Sequence, residues 1–260
     1  ERLGHPDVRT VPVSALEGDN VVERSTRTPW YDGPSLLELL EDLPPADDPT
    51  GEPFRFPVQL VLRPQAAARD GVSADYRGYA GQIASGLVRV GDEVVVQPSG
   101  LRTTVAGIDT ADGPLTEAFA PRSVTLRLAD DLDVSRGDLV AAAAGAPEPV
   151  RQLQASVCWL SDVPLRAPGR LLLKHTTRTV PAVVTAVTGR FDLDSQSLQP
   201  AETLGLNDIG AVELRLGSPV VAEEYARHRR TGAFLLIDPH DGATLAAGMV
   251  GSPLRTVEPA

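Results

Sequence analysis

The sequence predicts a mainly β protein in which two consecutive small β-barrels follow a short α/β segment. The chain of 260 residues contains 23 prolines and 23 glycines, so turn signals are frequent and the intervals between them suit short strands. Aromatic residues make up only 4% of the chain, which indicates cores built from Val, Leu, Ile and Ala. After residue 53 the apolar pattern changes from helical spacing to two-residue alternation, and this change predicts the β architecture.

Residues 1–44 are predicted to hold one buried strand, a polar loop and one helix. The segment VPVSALEGDNV at 11–21 starts apolar and continues into a Ser/Gly/Asp/Asn turn, as a strand does where it ends in a loop. Ser35 and Glu38 have the spacing of a capping box, and leucines at helical spacing follow. The pair Pro44-Pro45 ends the helix.

Residues 45–53 combine proline, glycine and acidic residues, which is the composition of a linker between domains. The first barrel is predicted over residues 54–147, where alternating apolar residues indicate six strands and no convincing helix. Its predicted strands are 54–62, 78–85, 93–97, 101–108, 124–128 and 139–143. Gly91-Asp92 and Gly137-Asp138 each precede an apolar run and are predicted to form hairpin turns.

The segment 145–149, Gly-Ala-Pro-Glu-Pro, marks a second boundary. A second barrel is predicted over residues 148–251, because another series of alternating segments follows. Its predicted strands are 152–160, 170–175, 180–188, 211–216, 233–237 and 244–250. Residues 252–260 carry no strong pattern and are interpreted as a tail.

Charge and cysteine content exclude several classes of function. The net charge is −11, and without a concentrated basic segment this argues against nucleic acid as the main partner. The one basic run, Arg227 to Arg230, is interpreted as a solvated loop face. Cys158 is the only cysteine, so a disulfide framework is impossible and a small buried apolar side chain is expected. No apolar run is long enough to span a bilayer and no signal peptide opens the chain, which predicts a cytoplasmic protein without a membrane partner.

Little catalytic equipment is visible, and no catalytic residue and no metal site are predicted. The four histidines, His5, His175, His228 and His240, have no metal-binding spacing. The Gly-x-Ser-x-Gly elbow, the phosphate loop Gly-x4-Gly-Lys-Ser/Thr and an Asn-Lys-x-Asp segment are all absent. Asp-x-x-Gly occurs at 48–51 and 75–78, but the first lies in the linker and the second enters a barrel strand, so neither is interpreted as a magnesium motif.

Several segments, taken with the order of helix, linker, barrel, linker and barrel, carry a resemblance to a known family. The chain resembles the large GTP-binding subunit of bacterial sulfate adenylyltransferase, itself similar to translation elongation factor Tu. The resemblance covers nearly the whole chain, and its most specific part is the Arg-Gly-Tyr-Ala-Gly stretch, which elongation factors proper do not share. The segments are VPVSALEGDNV at 11–21, TPWYDGPSLL at 28–37, FPVQ at 56–59, DYRGYAGQIASG at 75–86, NDIG at 207–210 and RTGAFLLID at 230–238.

The resemblance implies a role for the first segment. Ser14, Ala15 and Leu16 correspond to the last guanine-binding loop of the family, in which the backbone N–H at the alanine contacts the carbonyl oxygen of the base. It also implies that the barrels are those of domains II and III and that residues 1–44 are the end of a G domain. GTP and Mg²⁺ are implied cofactors of the intact protein, and none is expected in this chain alone.

The family's phosphate loop, magnesium and switch segments and base-reading motif are missing from this chain. We therefore expect a C-terminal piece that neither binds nor hydrolyses GTP by itself. The implied partners are the missing G domain and the smaller subunit, which makes adenosine 5'-phosphosulfate from ATP and sulfate while GTP hydrolysis drives that reaction. A relative of translation elongation factors that binds aminoacyl-tRNA, and a stand-alone double-barrel binding module, remain alternatives. A segment between Arg63 and Tyr76 is longer than the family needs and is expected to form a surface loop.

Overall fold

The computed structural model describes residues 8–43, 49–64 and 75–251. The described residues belong to two compact units, one formed by residues 8–43 and the other by residues 49–251. Residues 45–48 of the predicted linker, the segment 65–74 inside the expected surface loop and the predicted tail lie outside the described residues. The sequence predicts different structural classes for the two units, α/β for the first and β for the second.

The first unit contains one short helix and no named strand among its described residues. Helix α1 covers Leu36–Glu41, and the predicted capping box is confirmed: the Glu38 amide donates to Ser35 Oγ, and the Ser35 amide donates to the Glu38 carboxylate. The buried strand predicted to open the segment 11–21 and to end in Ser14-Ala15-Leu16 was wrong, since only an isolated bridge between Ser14 and Asp19 forms there. A β-strand needs a neighbour for its backbone groups, and residues 8–43 provide none.

The second unit begins with a one-turn 3₁₀ helix at Pro49–Gly51 and a seven-stranded sheet, which we call the N-terminal ring. Antiparallel pairings join its strands in the order β4-β9-β1-β2-β8-β5, and β5 pairs back onto β4, so that the pairings close a ring. Short strand β6 extends from β5, while β3 and β7 pair with each other. Its strands are β1 Arg55–Leu62, β2 Gly78–Gln82, β3 Leu87–Arg89, β4 Glu93–Gln97, β5 Leu101–Thr110, β6 Gly113–Leu115, β7 Glu117–Phe119, β8 Ser123–Leu128 and β9 Leu139–Ala142.

The next part of the second unit is a closed six-stranded antiparallel structure, which we call the C-terminal barrel. Its strands follow the order β12-β17-β18-β10-β16-β13, and β13 pairs with β12 to close it. Short strand β14 extends the sheet beside β13, and β11 pairs with β15. Its strands are β10 Val150–Trp159, β11 Leu165–Arg166, β12 Gly169–His175, β13 Arg178–Asp192, β14 Ser197–Gln199, β15 Thr203–Leu204, β16 Ile209–Val220, β17 Ala233–Ile237 and β18 Thr244–Val250.

The mainly β prediction is confirmed, since each of the twelve predicted strand segments overlaps an observed strand. Gly91 and Gly137 adopt positive φ angles of 95° and 98°, which a turn glycine accommodates. They were predicted to form hairpin turns, but β3 and β4 do not pair, and β9 pairs with β1 and β4 rather than with β8. The glycine pattern therefore located these turns but did not identify the strands that pair across them.

Two separate cores fill the two sheets. The N-terminal ring encloses Phe56, Ile83, Ile108 and Leu126, all of which are fully buried. The C-terminal barrel encloses Leu173, Val184, Leu214 and Leu236 in the same way. Apart from Phe56, Ile108 and Ile83, the last of which directly follows β2, these side chains lie in strands whose buried and more exposed residues alternate, as the two-residue period requires. Each β body therefore has its own apolar interior.

Candidate functional site

The predicted guanine loop lies in a compact, hydrogen-bonded turn. The Ser14 carbonyl accepts from the Gly18 amide at 2.8 Å, the Ser14 amide donates to the Asp19 carbonyl at 3.2 Å, and Gly18 has a φ of 74°. Behind the turn, the buried Asn20 side chain donates to the Pro12 carbonyl at 2.8 Å and to Thr28 Oγ1 at 2.9 Å. These bonds fix the base of the loop and leave its tip exposed.

Ala15 and Leu16 form that tip, and the Leu16 side chain is 92% exposed. Within residues 8–43, neither the Ala15 amide nor the Leu16 amide donates a hydrogen bond. A free N–H beside a methyl side chain can approach the carbonyl edge of a planar base closely, and it needs no other chemistry. The described geometry is compatible with the predicted role of Ser14, Ala15 and Leu16, which stays a prediction.

Charged side chains brace the other side of this loop. The Asp19 carboxylate accepts from Ser25 Oγ at 2.5 Å and from Arg27 Nε at 2.9 Å, and Arg27 also contacts Glu17 at 3.0 Å. The hydrogen bond from Ser25, together with those from Arg27, lowers the pKa of Asp19. Asp19 is therefore an anion that anchors the loop and is not a proton donor at neutral pH.

The most strongly built polar cluster lies where the C-terminal barrel meets the N-terminal ring. Arg55 in β1 has a side chain only 2% exposed, and its guanidinium contacts the Glu223 carboxylate at 3.0 to 3.2 Å. Arg55 also donates to the carbonyls of Phe54 and Gly145, at 3.0 and 2.9 Å. Thr231 Oγ1 also donates to the Glu223 carboxylate, at Oε2 and a distance of 2.7 Å. A buried charge pair persists when its remaining hydrogen-bonding positions are satisfied in this way.

The same cluster sets two protonation states. Burial raises the pKa of Glu223, but hydrogen bonds from Arg55 and Thr231 outweigh it, so the pKa of Glu223 lies below its ordinary value. His175 in β12 is 3% exposed, and its Nε2 lies 2.7 Å from the Thr231 carbonyl. Burial lowers the pKa of His175, partly offset by that hydrogen bond. His175 is therefore neutral and donates from Nε2, while Glu223 is ionised.

Two further contacts complete this junction. Asp138, from the turn before β9, accepts from Arg178 Nη1 at 3.2 Å and from the Ser135 amide at 2.8 Å. A small apolar cluster joins side chains from the ring to Val221, which follows β16. Its ring members are Val95, Leu139 and Ala141, with Ala146 of the connecting segment packed against them. We use "the junction" for the Arg55–Glu223–Thr231 contacts, the Asp138–Arg178 pair and this cluster.

The histidines differ in their surroundings, although His175 and His228 both lie beside the Glu223–Thr231 contacts. His175 is buried, His240 is exposed in the turn between β17 and β18, and His5 lies outside the described residues. His228 lies at the junction, with Nδ1 3.6 Å from Glu52 and Nε2 3.7 Å from Glu223. Among the described residues, no group of three His, Cys, Asp or Glu side chains could hold a metal ion. Cys158 is half-buried rather than fully buried, and its thiol is free.

A groove of about 910 Å³ follows the outer surface of the N-terminal ring. Tyr76 and Arg127 line it, and both donate to Asp109 Oδ2 at 2.9 Å. Burial, followed by the hydrogen bond to Asp109, raises the pKa of Tyr76 to about 12. The phenol is thus a neutral hydrogen-bond donor, and the groove contains no activated nucleophile among its described residues.

Sequence reasoning missed the junction. Arg55 and Glu223 are 168 positions apart, and neither belongs to a motif with a recognisable spacing. The only local signal was an arginine at the start of a mostly apolar strand. The basic run was placed correctly, since Arg227, Arg229 and Arg230 are exposed. Its histidine, His228, instead lies near the carboxylates of Glu52 and Glu223.

Comparison with protein families and curated proteins gives consistent matches. Residues 152–251 match the family model described as GTP-eEF1A C-terminal domain-like. The chain is 47% identical over 251 residues to the bifunctional enzyme CysN/CysC of Mycobacterium tuberculosis, covering 96% of this chain and 40% of that protein. It is 40% identical over 250 residues to sulfate adenylyltransferase subunit 1 of Alteromonas mediterranea, covering 96% of this chain and 51% of that protein. The chain thus spans about half or less of the length of these relatives.

A solved structure shows the same fold. The crystal structure of sup35 complexed with GMPPNP matches 95% of this chain and 59% of that chain, with a TM-score of 0.69 and 24% identity. At this level of identity the likeness concerns the fold alone. In the described part of the chain, no helix has the length and apolar character needed to cross a membrane.

Proposed function

We propose that this chain, homologous over almost its whole length to sulfate adenylyltransferase subunit 1, is the C-terminal part of the GTP-dependent subunit of that enzyme. The observation that carries the proposal is 40–47% identity over 96% of the chain to that subunit and to a bifunctional CysN/CysC enzyme. Because the chain spans only 40% and 51% of those proteins, the proposal places the nucleotide-binding segments outside it.

In this proposal the two β bodies transmit a conformational change and perform no bond chemistry. GTP can shift a conformational equilibrium only through contacts that differ between two states of the protein. The junction supports such a role, because a buried ion pair and an apolar cluster connect the ring to the barrel. GTP hydrolysis would thereby be coupled to formation of adenosine 5'-phosphosulfate from ATP and sulfate on a partner subunit.

The residues present fit only one edge of a guanine nucleotide. The exposed Ala15 amide, which has no hydrogen-bond partner within residues 8–43, is compatible with a contact to the carbonyl oxygen of the base. The sequence has no phosphate loop of the Gly-x4-Gly-Lys-Ser/Thr type to hold the phosphates and Mg²⁺. Bound GTP would supply the free energy of its hydrolysis, and in this chain Ser14, Ala15 and Leu16 would only orient the base.

Exposed apolar side chains support the proposal that residues 8–43 complete a larger α/β G domain. Trp30 is 72% exposed, and Leu36, Leu40 and Leu43 of the predicted apolar stripe are 37%, 55% and 48% exposed. Helix α1 has no buried residue. An amphipathic helix usually buries such a stripe against its own domain. In the full-length protein, the proposed occupant of this surface is the rest of the G domain.

Nucleotide titration tests the proposal directly. This chain and the full-length protein are titrated with a fluorescent guanine nucleotide, and binding is expected only for the full-length protein. In the full-length protein, Ala15→Val is expected to weaken binding because its branched side chain obstructs approach to the base. A matched change at exposed Val22 to Ala is the control. Micromolar binding by this chain alone would contradict the proposal that the missing segments hold the nucleotide.

Two further measurements address the partner and the alternatives. The full-length chain is expected to co-purify with a small adenylyl-transferring subunit and to stimulate its ATP- and sulfate-dependent reaction when GTP is present. Filter binding with aminoacyl-tRNA at low salt is expected to give no retention. Retention of the tRNA without subunit association would favour the elongation-factor alternative, and neither activity would favour a stand-alone double-barrel module. The cytoplasmic location stays a prediction.

A further inference from the structure

One face of the C-terminal barrel combines exposed apolar side chains with an unpaired cationic rim. Strands β16, β13, β12 and β17 are neighbours in the sheet. In the strand register, Val183 of β13 lies between Arg215 of β16 and Arg170 of β12. Further along β12, Leu172 pairs with Pro181 of β13, and Lys174 pairs with Leu235 of β17. At about 4.8 Å between strands, the four strands span about 14 Å. We call this face the barrel patch.

The centre of the barrel patch is apolar and accessible. Pro181 is exposed, Leu235 is 36% exposed, and Leu172 and Val183 are half-buried. All four side chains alternate with inward-facing core residues such as Leu173 and Ala182. They therefore lie on the outer surface of the closed sheet. Because they occupy neighbouring positions there, they form one apolar area and are not scattered apolar side chains.

The rim of the barrel patch is cationic. Arg151, Arg170, Lys174 and Arg215 are exposed, and none of them forms an ion pair with a described residue. Arg151 donates to the Gly217 carbonyl at 2.9 Å, which holds its guanidinium beside β16. Strands β12 and β17 contain no Asp or Glu, and the nearest carboxylate along β16 belongs to Glu213.

The positive charge of this face contrasts with the net charge of −11 of the chain. The chain has 35 acidic and 24 basic residues, and several other arginines, such as Arg27, Arg55 and Arg89, are paired with carboxylates. The barrel patch differs in that four cations without an ion pair to a described residue surround an apolar centre. Protein–protein interfaces commonly have an apolar centre and a polar rim, with arginine enriched.

We propose that the barrel patch docks a protein surface that is apolar at its centre and acidic at its edge, and that this surface belongs to the small partner subunit. The assignment of that partner rests on the proposed function. Charge complementarity argues for an acidic surface, because no rim cation forms an ion pair with a carboxylate among the described residues. Nucleic acid is the weaker fit, since the centre has no aromatic side chain on which a base could stack and the chain carries a net charge of −11.

Charge reversal tests the proposal in the full-length protein. Arg170→Glu together with Arg215→Glu is expected to weaken association with the small subunit by at least about tenfold at low salt, because attraction at two rim positions becomes repulsion. The matched control is Arg102→Glu with Arg122→Glu, which makes the same charge change at exposed arginines of the N-terminal ring that form no ion pair with a described residue. The control is expected to change the dissociation constant by less than about twofold. The second variant, Leu235→Asn, is expected to weaken association without changing its salt dependence.

The outcomes separate this proposal from the proposed function. If the wild-type protein binds the small subunit and both barrel-patch variants bind it equally well, the barrel-patch proposal is wrong and the proposed function is unaffected. No association by the wild-type protein would overturn the proposed function and this partner assignment together. If the double reversal abolished binding of tRNA while subunit association stayed unchanged, the barrel patch would be an RNA surface and the proposal would be wrong. Thermal unfolding of each variant verifies that the barrel remains folded.

Discussion

At the scale of single residues, the Arg55–Glu223 pair shows how the energetic effect of a charged side chain depends on its surroundings in the fold. Burying either charge alone would cost several kcal/mol, and the pair is tolerated because its members neutralise and hydrogen-bond each other. The Arg55 guanidinium donates five hydrogen bonds, three to the Glu223 carboxylate and one each to the carbonyls of Phe54 and Gly145. Glu223 also accepts from Thr231. Removing one partner leaves the other charge buried.

We therefore expect Glu223→Ala to lower the free energy of unfolding by about 3–5 kcal/mol, as for other broken buried ion pairs. Urea denaturation of the two proteins measures this difference. The control is Glu117→Ala, which removes the exposed Arg89–Glu117 pair, whose side chains are 61% and 50% exposed. That control is expected to cost less than about 1 kcal/mol. Equal losses for the two variants would show that burial of the junction is not what stabilises it.

His175 makes a second residue-scale prediction, on pH dependence. Because burial lowers its pKa in the folded protein, the unfolded chain binds a proton at a higher pH than the folded chain does. Stability is fully present above the unfolded pKa of about 6.5 and is lost as pH falls below it, with a slope of up to about 1.4 kcal/mol per pH unit. The depressed pKa of Glu223 adds a separate loss only below about pH 4.5.

The measurement is chemical denaturation at a series of pH values between about 7.5 and 5, the range in which an ordinary histidine titrates. His175→Gln, which retains a donor toward the Thr231 carbonyl, is expected to flatten the profile. His240→Gln, at an exposed turn position, should leave the profile unchanged. A wild-type profile without a decline below about pH 6.5 would contradict the assignment of His175 as a neutral buried donor.

At the scale of elements, close approach between strands explains a glycine that no turn requires. Gly210 lies in β16 opposite Arg190 of β13, and a Cβ there would lie 2.6 Å from the Gly189 carbonyl oxygen. A side chain at this position would push on backbone atoms, which cannot rotate away. Local patterning shows only a glycine within a strand, because the approaching atoms belong to another strand.

Gly210→Ala is accordingly expected to destabilise the protein by about 1–3 kcal/mol through overpacking. Gly205→Ala provides the comparison, since a Cβ at Gly205 would meet Asp208 at 3.5 Å, an ordinary contact distance. Thermal unfolding of both variants checks the difference. A Gly210 variant as stable as the Gly205 variant would mean that β13 and β16 can separate without cost.

At the scale of the whole second unit, the junction connects two bodies that have separate cores. A buried ion pair, a half-buried ion pair and an apolar cluster link the C-terminal barrel to the N-terminal ring. Loss of these contacts would leave each core intact, because their buried residues form separate clusters. Cooperativity between the two bodies therefore depends on the junction.

Calorimetry can test this dependence. The wild-type second unit is expected to unfold in one transition, and Glu223→Ala combined with Arg178→Ala is expected to separate it into two, because both polar links are removed. A double variant at the exposed Arg89 and Glu117 positions is the control and should retain one transition. A single transition in the junction variant would show that the apolar cluster alone couples the bodies.

Sequence patterns predicted much of the fold and part of the candidate site. Alternation located the long strands because each has one face in a core, and the Ser35–Glu38 spacing located the helix start. The strand at 11–13 failed because apolar residues alone do not provide a pairing partner. Short strands such as β3, β11 and β15 were missed, since two or three residues carry too little periodicity to detect.

By itself, the sequence determined the mainly β class, the approximate strand positions and the helix cap, since alternation and capping are local properties of the chain. The family likeness also followed from the linear order of residues. Only the tertiary structure decided that Arg55 meets Glu223, that His175 is neutral, and that Arg170 and Arg215 flank one apolar surface. These features join residues far apart in the chain, and their energies depend on burial and on distances between strands, which local patterns do not encode.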